Sequence, residues 1–405
     1  MTDSSRTPAT APDRSSVWVV VCGILALAMA MGVGRFAFTP LMPLMMRDGS
    51  LSAAAGAEWA AANYVGYLVG ALTAARFSAR PRQGLLLALL GVALSTLAVA
   101  GLDEASVMAG SVLRAASGIF SAWALVCTSS WGLAELARRQ VPQWGSWIYT
   151  GVGVGICLAG VLAWLGGGQP ARWLWVELGL LALLGGVLVW RWAAPQVPVL
   201  ASPAVTQAKG TAHPAPSSVP PGQLPLVLCY GTFGFGYIVP ATFLPAMARQ
   251  QVSDPLVFGL AWPLFGLAAA LSVVGAARWL SAWPRRRVWA LAQGTMALGT
   301  ALPIVSLSLW TLAASAVLVG GTFMVATMAG LQLAREQAPL NPTPLLARMT
   351  VAFAMGQIVG PVLVRLLGTQ PWWGWDALAC ANALATVLLL GSAGWLWRGT
   401  RQSPA

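Results

Sequence analysis

The stretch Gly32–Arg47, GVGRFAFTPLMPLMMR, lies inside an apolar run that begins at Val17. Its arginine and its two prolines do not belong in a simple hydrophobic helix. An arginine at the centre of a membrane span costs about 2.5–3.5 kcal/mol on insertion scales. Arg35 therefore needs a cavity, a partner or water. Pro40 cannot donate to the carbonyl of Phe36, and Pro43 leaves that of Thr39 free. With Gly32 and Gly34 upstream, the segment is expected to bend or break locally. The arrangement returns 202 residues later in Gly234–Arg249, GFGYIVPATFLPAMAR. There Gly234, Gly236, Pro245, Met247 and Arg249 match Gly32, Gly34, Pro43, Met45 and Arg47, and Pro240 adds a second proline. A second bend is expected at these positions. Arg35 has no copy, because its counterpart is Tyr237.

The repeat extends outward. At an offset of 203, Gly56, Trp59, Pro81 and Arg82 fall on Gly259, Trp262, Pro284 and Arg285, and Gly118 and Phe120 fall on Gly321 and Phe323. Several matches at a nearly constant offset mark two parallel halves, a signature of one transporter architecture.

Composition fixes the solvent of this chain. Of 405 residues, 58% are hydrophobic and 8% charged, against about 25% charged in soluble proteins. So few charges cannot cover a water-facing surface, so the chain needs a lipid bilayer. A span needs about 20 apolar residues. Twelve such segments occur, at roughly 17–46, 53–75, 83–101, 105–136, 144–167, 172–193, 224–248, 256–279, 287–304, 308–334, 347–368 and 376–397. Residues 194–223 are rich in Pro, Ala and Ser and carry no hydrophobic period, which reads as a flexible linker. The expected organisation is a disordered tail (1–16), a six-helix bundle (17–193), the linker (194–223), a second six-helix bundle (224–398) and a short tail (399–405). The fold class is all-α membrane protein, with twelve transmembrane helices in two pseudo-symmetric bundles.

The formal net charge of +12 would point to nucleic acid in a soluble protein. Here its distribution gives a different reason. With the N-terminus in the cytoplasm, Arg76, Arg80, Arg82, Arg138, Arg139, Arg191, Lys209, Arg285, Arg286 and Arg287 fall on the inner side. Asp48, Asp103, Glu104, Asp254 and Asp376 fall outside. This is the positive-inside pattern and places both termini in the cytoplasm. No nucleic-acid partner is expected. The five cysteines form no CxxC or CxxH pair, and the one histidine, His213, sits in the linker. With no phosphate loop, metal-ligand cluster or catalytic triad, an enzyme, a metal site and a cofactor are not expected.

Four pieces carry a family likeness: GRFAFTPLMPLM in segment 1, AANYVGYLVGAL in segment 2, GLAWPLFGLAAAL in segment 8 and GQIVGPVL in segment 11. From about 17 to 397 the chain resembles the major facilitator superfamily of transporters and, within it, the YbfB/YjiJ family. The resemblance implies a multi-pass monomer of the bacterial inner membrane that moves a small organic solute by alternating access, with export as its direction. Proton coupling is left open. The alternatives are a non-transporting sensor or scaffold on the same fold, and a facilitative importer of an anionic solute. The Arg-x-x-x-Gly motif of superfamily helix 4 is matched by Arg114, Gly118, Ser121 and Ala122. The loop after helix 2 keeps Gly70, Arg76, Arg80 and Arg82, but the usual acid is replaced near Ala74. Glu135 is a substitute carboxylate for that gate. Helix 5 lacks the proline of the antiporter signature.

In this superfamily helices 1, 4, 7 and 10 line the central cavity, which implies that Arg35 and Arg114 face it. An arginine suits an anionic group because its planar fork binds a carboxylate bidentately and stays charged. The other reading of Arg35 is that it satisfies backbone carbonyls or anchors toward the outer face, and that of Arg114 is that it hydrogen-bonds carbonyls of a neighbouring helix. Thr39, Asn63, Tyr67, Trp123, Tyr230, Tyr237, Trp262 and Gln357 are candidates to complete the site, with bundle packing as the alternative for each. No acid lies clearly at mid-membrane. Glu58 and Glu177, near the surface, are the candidates for proton coupling, with interfacial solvation as their other reading.

Overall fold

The computed structural model describes residues 14–77, 79–193, 223–252, 254, 259–280, 282–338, 343–368, 370–371 and 374–399. Most of the expected disordered tail, the linker before Gln223 and the end of the chain lie outside the described residues. The twelve expected segments are all helical. The first, α1, runs to Arg47 in three pieces: α-helical Arg14–Leu27, π-helical Ala28–Phe36 and α-helical Phe38–Arg47. Then follow α2 (Ala53–Thr73), α3 (Pro81–Val99), α4 (Val107–Arg138), α5 (Thr150–Leu165) and α6 (Ala171–Trp192). The second half has α7 (Leu224–Gln251), α8 (Ala261–Trp279), α9 (Arg285–Val305), α10 (Leu309–Gln337), α11 (Thr343–Leu367) and α12 (Ala377–Arg398). Eleven of these are long and apolar enough to cross a bilayer. The exception is α2, which carries Glu58, Asn63, Tyr64 and Tyr67.

Local chemistry starts several helices. Ser52 and Asp376 accept from the backbone N–H three residues on, and Ser308 forms a capping box with Thr311. Outward faces are apolar, with Leu72, Leu94, Val112, Leu271, Leu298, Trp310 and Val387 exposed. Such a surface suits lipid, and helices satisfy their own backbone there.

Small residues set the spacing inside each half. A side chain at Gly66 or Gly70 of α2 would collide with the backbone of Ala115 or Ile119 on α4, and one at Gly320 of α10 would collide with Phe265 of α8. The halves also close their arginine-rich ends alike. Arg82, starting α3, donates to the carbonyls of Ala193 and Trp190 at the end of α6 at 2.9 and 3.2 Å. Arg286, starting α9, donates to Leu396 at the end of α12 at 3.1 Å. A cation at a helix C-terminus is favourable in both places. Between the bundles, α5 packs on α8 through Gly153 beside Ala270, Gly160 beside Pro263 and Gly266 beside Cys157.

Of the two segments expected to bend or break, α1 changes helical register among the described residues. In α7 the helix runs unbroken through Pro240 and Pro245. Gly32, Gly34, Gly234 and Gly236 are packing residues: their faces meet Gly155, Ser121 with Val92, Phe353 and Leu389, respectively. None of the four has a positive φ. The irregularity of α1 comes instead from its π stretch, which gives way to α-helix at Ala37. In a π register the carbonyl of residue i is met by the N–H of i+5. Pro40 has no N–H to give Arg35 in that register, nor Phe36 in the α register. The change of register therefore falls just before this proline, while Pro43 lies inside the following α-helix.

Candidate functional site

Arg35 is the last residue but one of the π stretch and is only 4% exposed. Its Nη2 donates to Gln357 Oε1 of α11 at 2.6 Å and to the Tyr237 hydroxyl of α7 at 3.5 Å. Gln357 Nε2 donates in turn to the Tyr237 hydroxyl. The guanidinium lies over the Tyr67 ring at 3.9 Å, with the Phe36 and Tyr64 rings at 5.1 and 5.4 Å. Arg35 Nε has no hydrogen-bond partner. Among the described residues no carboxylate pairs with this cation. Arg35 thus joins the two bundles through neutral groups alone.

Arg35 and Tyr237 are 202 residues apart, the offset of the repeat. One turn on, Thr39 Oγ1 donates to the carbonyl of Ala241 at 2.8 Å, again at an offset of 202. Equivalent positions of the two halves therefore touch, which places them at the pseudo-twofold axis.

Arg114, 2% exposed on α4, is spent differently. Its Nη1 and Nη2 donate to the carbonyls of Gly34 and Arg35 at 3.0 and 2.9 Å. Ser117 also donates to Gly34 at 2.5 Å, and Ser121 to Ala30 at 2.7 Å. These carbonyls belong to the π stretch and its end. Arg114 gives Arg35 the bond that Pro40 cannot. Both its terminal nitrogens are engaged on backbone, the second of the two readings of Arg114, in which it bonds carbonyls of a neighbouring helix. Asn63 Nδ2 supports it by donating to the Arg114 carbonyl at 2.9 Å, while Asn63 Oδ1 is buried without a partner.

Aromatic rings build the wall around Arg35. Tyr237 stacks between Phe323 and Phe353, both at an interplanar angle of 7° and at 5.5 and 5.6 Å. Trp262 stacks on Phe265 at 4.8 Å and reaches Phe36 at 6.4 Å. Tyr230 lies against Phe353 at 5.3 Å and Trp289 at 5.7 Å. Trp123 does not join them, contrary to expectation. It donates to Thr73 Oγ1 at 2.9 Å and lies under the Arg76 guanidinium at 5.0 Å, toward the arginine-rich end. The sequence reading missed Tyr64, Phe353 and Thr242. Tyr64 stands three residues before Tyr67 and so shares its helix face. Its hydroxyl meets Thr242 Oγ1 across the bundles at 2.9 Å.

The acids lie away from this centre. Glu58 forms an ion pair with Arg365 of the other bundle at 2.7 Å and accepts from Ser111 at 3.3 Å. Glu177 accepts from Gln169 at 3.0 Å near the start of α6. Glu135 pairs with Arg138 and Arg139 on its own helix end at 2.5 and 2.6 Å. Arg76 donates to the Thr73 carbonyl at 3.1 Å, and Arg80 is exposed before α3. The contacts Thr39–Ala241, Tyr64–Thr242 and Glu58–Arg365 hold the bundles together from the centre toward the end opposite the arginines. At the arginine-rich end a cavity of about 460 Å³ opens between the bundles, with Trp147, Arg278, Val325, Met328 and Gln332 in its lining.

The family description "Uncharacterised MFS-type transporter YbfB" matches residues 27–393. No curated protein matches the chain. Solved structures share its fold at low identity. A D-xylose–proton symporter superposes with a TM-score of 0.71 at 16% identity, covering 95% of this chain and 97% of the other. The nucleoside transporter NupG gives 0.67 at 12%, with coverage of 96% and 100%. A bacterial homologue of the human lysosomal transporter Spinster, in an inward-facing and unoccupied conformation, gives 0.69 at 13%, with coverage of 98% and 100%.

Proposed function

Because this chain belongs to the YbfB family of major facilitator transporters, we propose that it moves a small organic anion through the centre marked by Arg35, by rocking of the two bundles about that point. One observation carries the reading. Arg35 is a buried guanidinium at the bundle interface, held only by neutral groups, with Nε unpartnered. A buried charge without a countercharge is costly. A solute that brings the missing negative charge recovers that cost on binding. In an alternating-access cycle, the contacts Thr39–Ala241, Tyr64–Thr242 and Glu58–Arg365 part when the end opposite the arginines opens. The distribution of Lys and Arg supports an inner-membrane placement with both termini cytoplasmic.

A facilitative carrier is the second reading of the driving force. It is favoured because no described carboxylate stands at the centre to take a proton. Purified protein in liposomes tests both. Anion flux should fall to background in Arg35→Ala at normal expression and insertion, and unchanged flux would sink the site. Flux that carries protons, seen as alkalinisation of the medium on anion addition, would refute the uncoupled form and leave the site intact.

A further inference from the structure

The proposed transport centre also constrains its solute, and this step rests on the reading of Arg35 as the anion site. We infer that the solute is an aromatic monocarboxylate whose carboxylate displaces Gln357 from Arg35. Three observations lead there. The first is charge. Arg35 is the one buried guanidinium at the centre whose contacts are neutral side chains, since Arg114 is engaged on backbone carbonyls. A monoanion neutralises the site. A dianion leaves one negative charge over, and a zwitterion brings an ammonium for which no described carboxylate is at hand.

The second is the wall. Phe36, Tyr64, Tyr67, Tyr237, Phe323 and Phe353 surround or back the guanidinium. Rings favour an aromatic body through stacked and edge contacts. A polyhydroxylated solute needs many polar partners, and the hydroxyls of Tyr64 and Tyr237 in this wall are already bonded to Thr242 and Gln357.

The third is Gln357. It is fully buried, and its amide oxygen stands 2.6 Å from Arg35 Nη2, where a carboxylate oxygen binds a guanidinium. It acts as a neutral stand-in in the closed bundle. A carboxylate replaces it with a charge-assisted contact and frees the Gln357 amide to donate to the second carboxylate oxygen. The exchange also undoes a direct tie between α1 and α11, so occupancy loosens the bundle interface.

The test uses the full chain purified in detergent, with benzoate as probe and benzamide, phthalate and phenylalanine as neutral, dianionic and zwitterionic comparisons. Benzoate at millimolar concentration should raise the unfolding temperature, and the other three should not. Gln357→Glu supplies an internal carboxylate. It should unfold at a higher temperature than the parent without probe and lose the benzoate shift. Arg35→Lys keeps a charge without the planar fork and should weaken benzoate binding at least about tenfold. No benzoate shift in the parent, or an undiminished shift in Gln357→Glu, overturns the inference. Arg35-dependent flux of phthalate or phenylalanine without benzoate binding would overturn the solute assignment and leave the transport reading standing. Absence of any Arg35-dependent flux, with benzoate still bound, would do the reverse.

Discussion

The two halves open on nearly the same sentence and use it differently. In α1, Gly32, Gly34, Pro40, Pro43 and Arg35 sit in a helix that changes register. In α7, Gly234, Gly236, Pro240, Pro245 and Tyr237 sit in one that does not. The glycines do the same job in both, letting a neighbouring helix approach. The difference lies at the proline that follows the charged position, and in a second helix that responds to it. Arg114 donates to the carbonyls of Gly34 and Arg35 in α1. Its counterpart, matched by burial at an offset of 202, is Ala316, which has no donor to give. A departure from helical bonding inside a membrane is tolerated where protein donors replace the missing ones. Regularity in the second half and irregularity in the first thus have one cause.

The sharpest way to break this contrast is to remove its charge. Arg35→Ala should lower anion flux in liposomes by about 100-fold or more, since a buried charged contact is worth several kcal/mol. Tyr237→Phe, its repeat partner, removes only a hydroxyl and should cost about tenfold or less. Next comes the support. Arg114→Met orphans buried carbonyls and should destabilise the protein by about 2–4 kcal/mol in a detergent unfolding assay. A loss of flux with full stability would instead make Arg114 a solute contact. The glycines test what the halves share. Gly32→Ala and Gly234→Ala each press a methyl into a facing backbone and should destabilise by about 1–3 kcal/mol alike. A cost confined to one half would show that the packing is not common to both. The smallest effect is expected at the rim. Glu58→Arg and Arg365→Glu should each cost about 1 kcal/mol or less, as half-exposed pairs do. The double reversal should recover most of the loss in a thermal assay.

What a one-dimensional reading reaches follows from these contrasts. Spans, repeat and the residues Arg35, Tyr67, Tyr237 and Gln357 are legible, because apolar length and a misplaced charge are local signals. The π register is not. It depends on donors from α4, about 80 residues away in the chain, and prolines alone do not separate α1 from α7. Glu58 is visible as an acid, but its partner Arg365 is 307 residues distant. Trp123 is misplaced through depth rather than type. It lies nine residues beyond Arg114 on the same helix, about 13 Å along the axis, which carries it out of the centre.

Thr39 beside Ala241 and Arg35 beside Tyr237 have a consequence for how such a molecule arises. A residue on a twofold axis faces its own twin, as at the middle of an isologous dimer. Two identical six-helix subunits would set arginine against arginine at this spot, two cations in one dry place. Fusing the halves into a single polypeptide lifts that constraint, because each twin is then free to mutate alone. The lone guanidinium at the axis is a design open to a duplicated chain and closed to a dimer of identical ones.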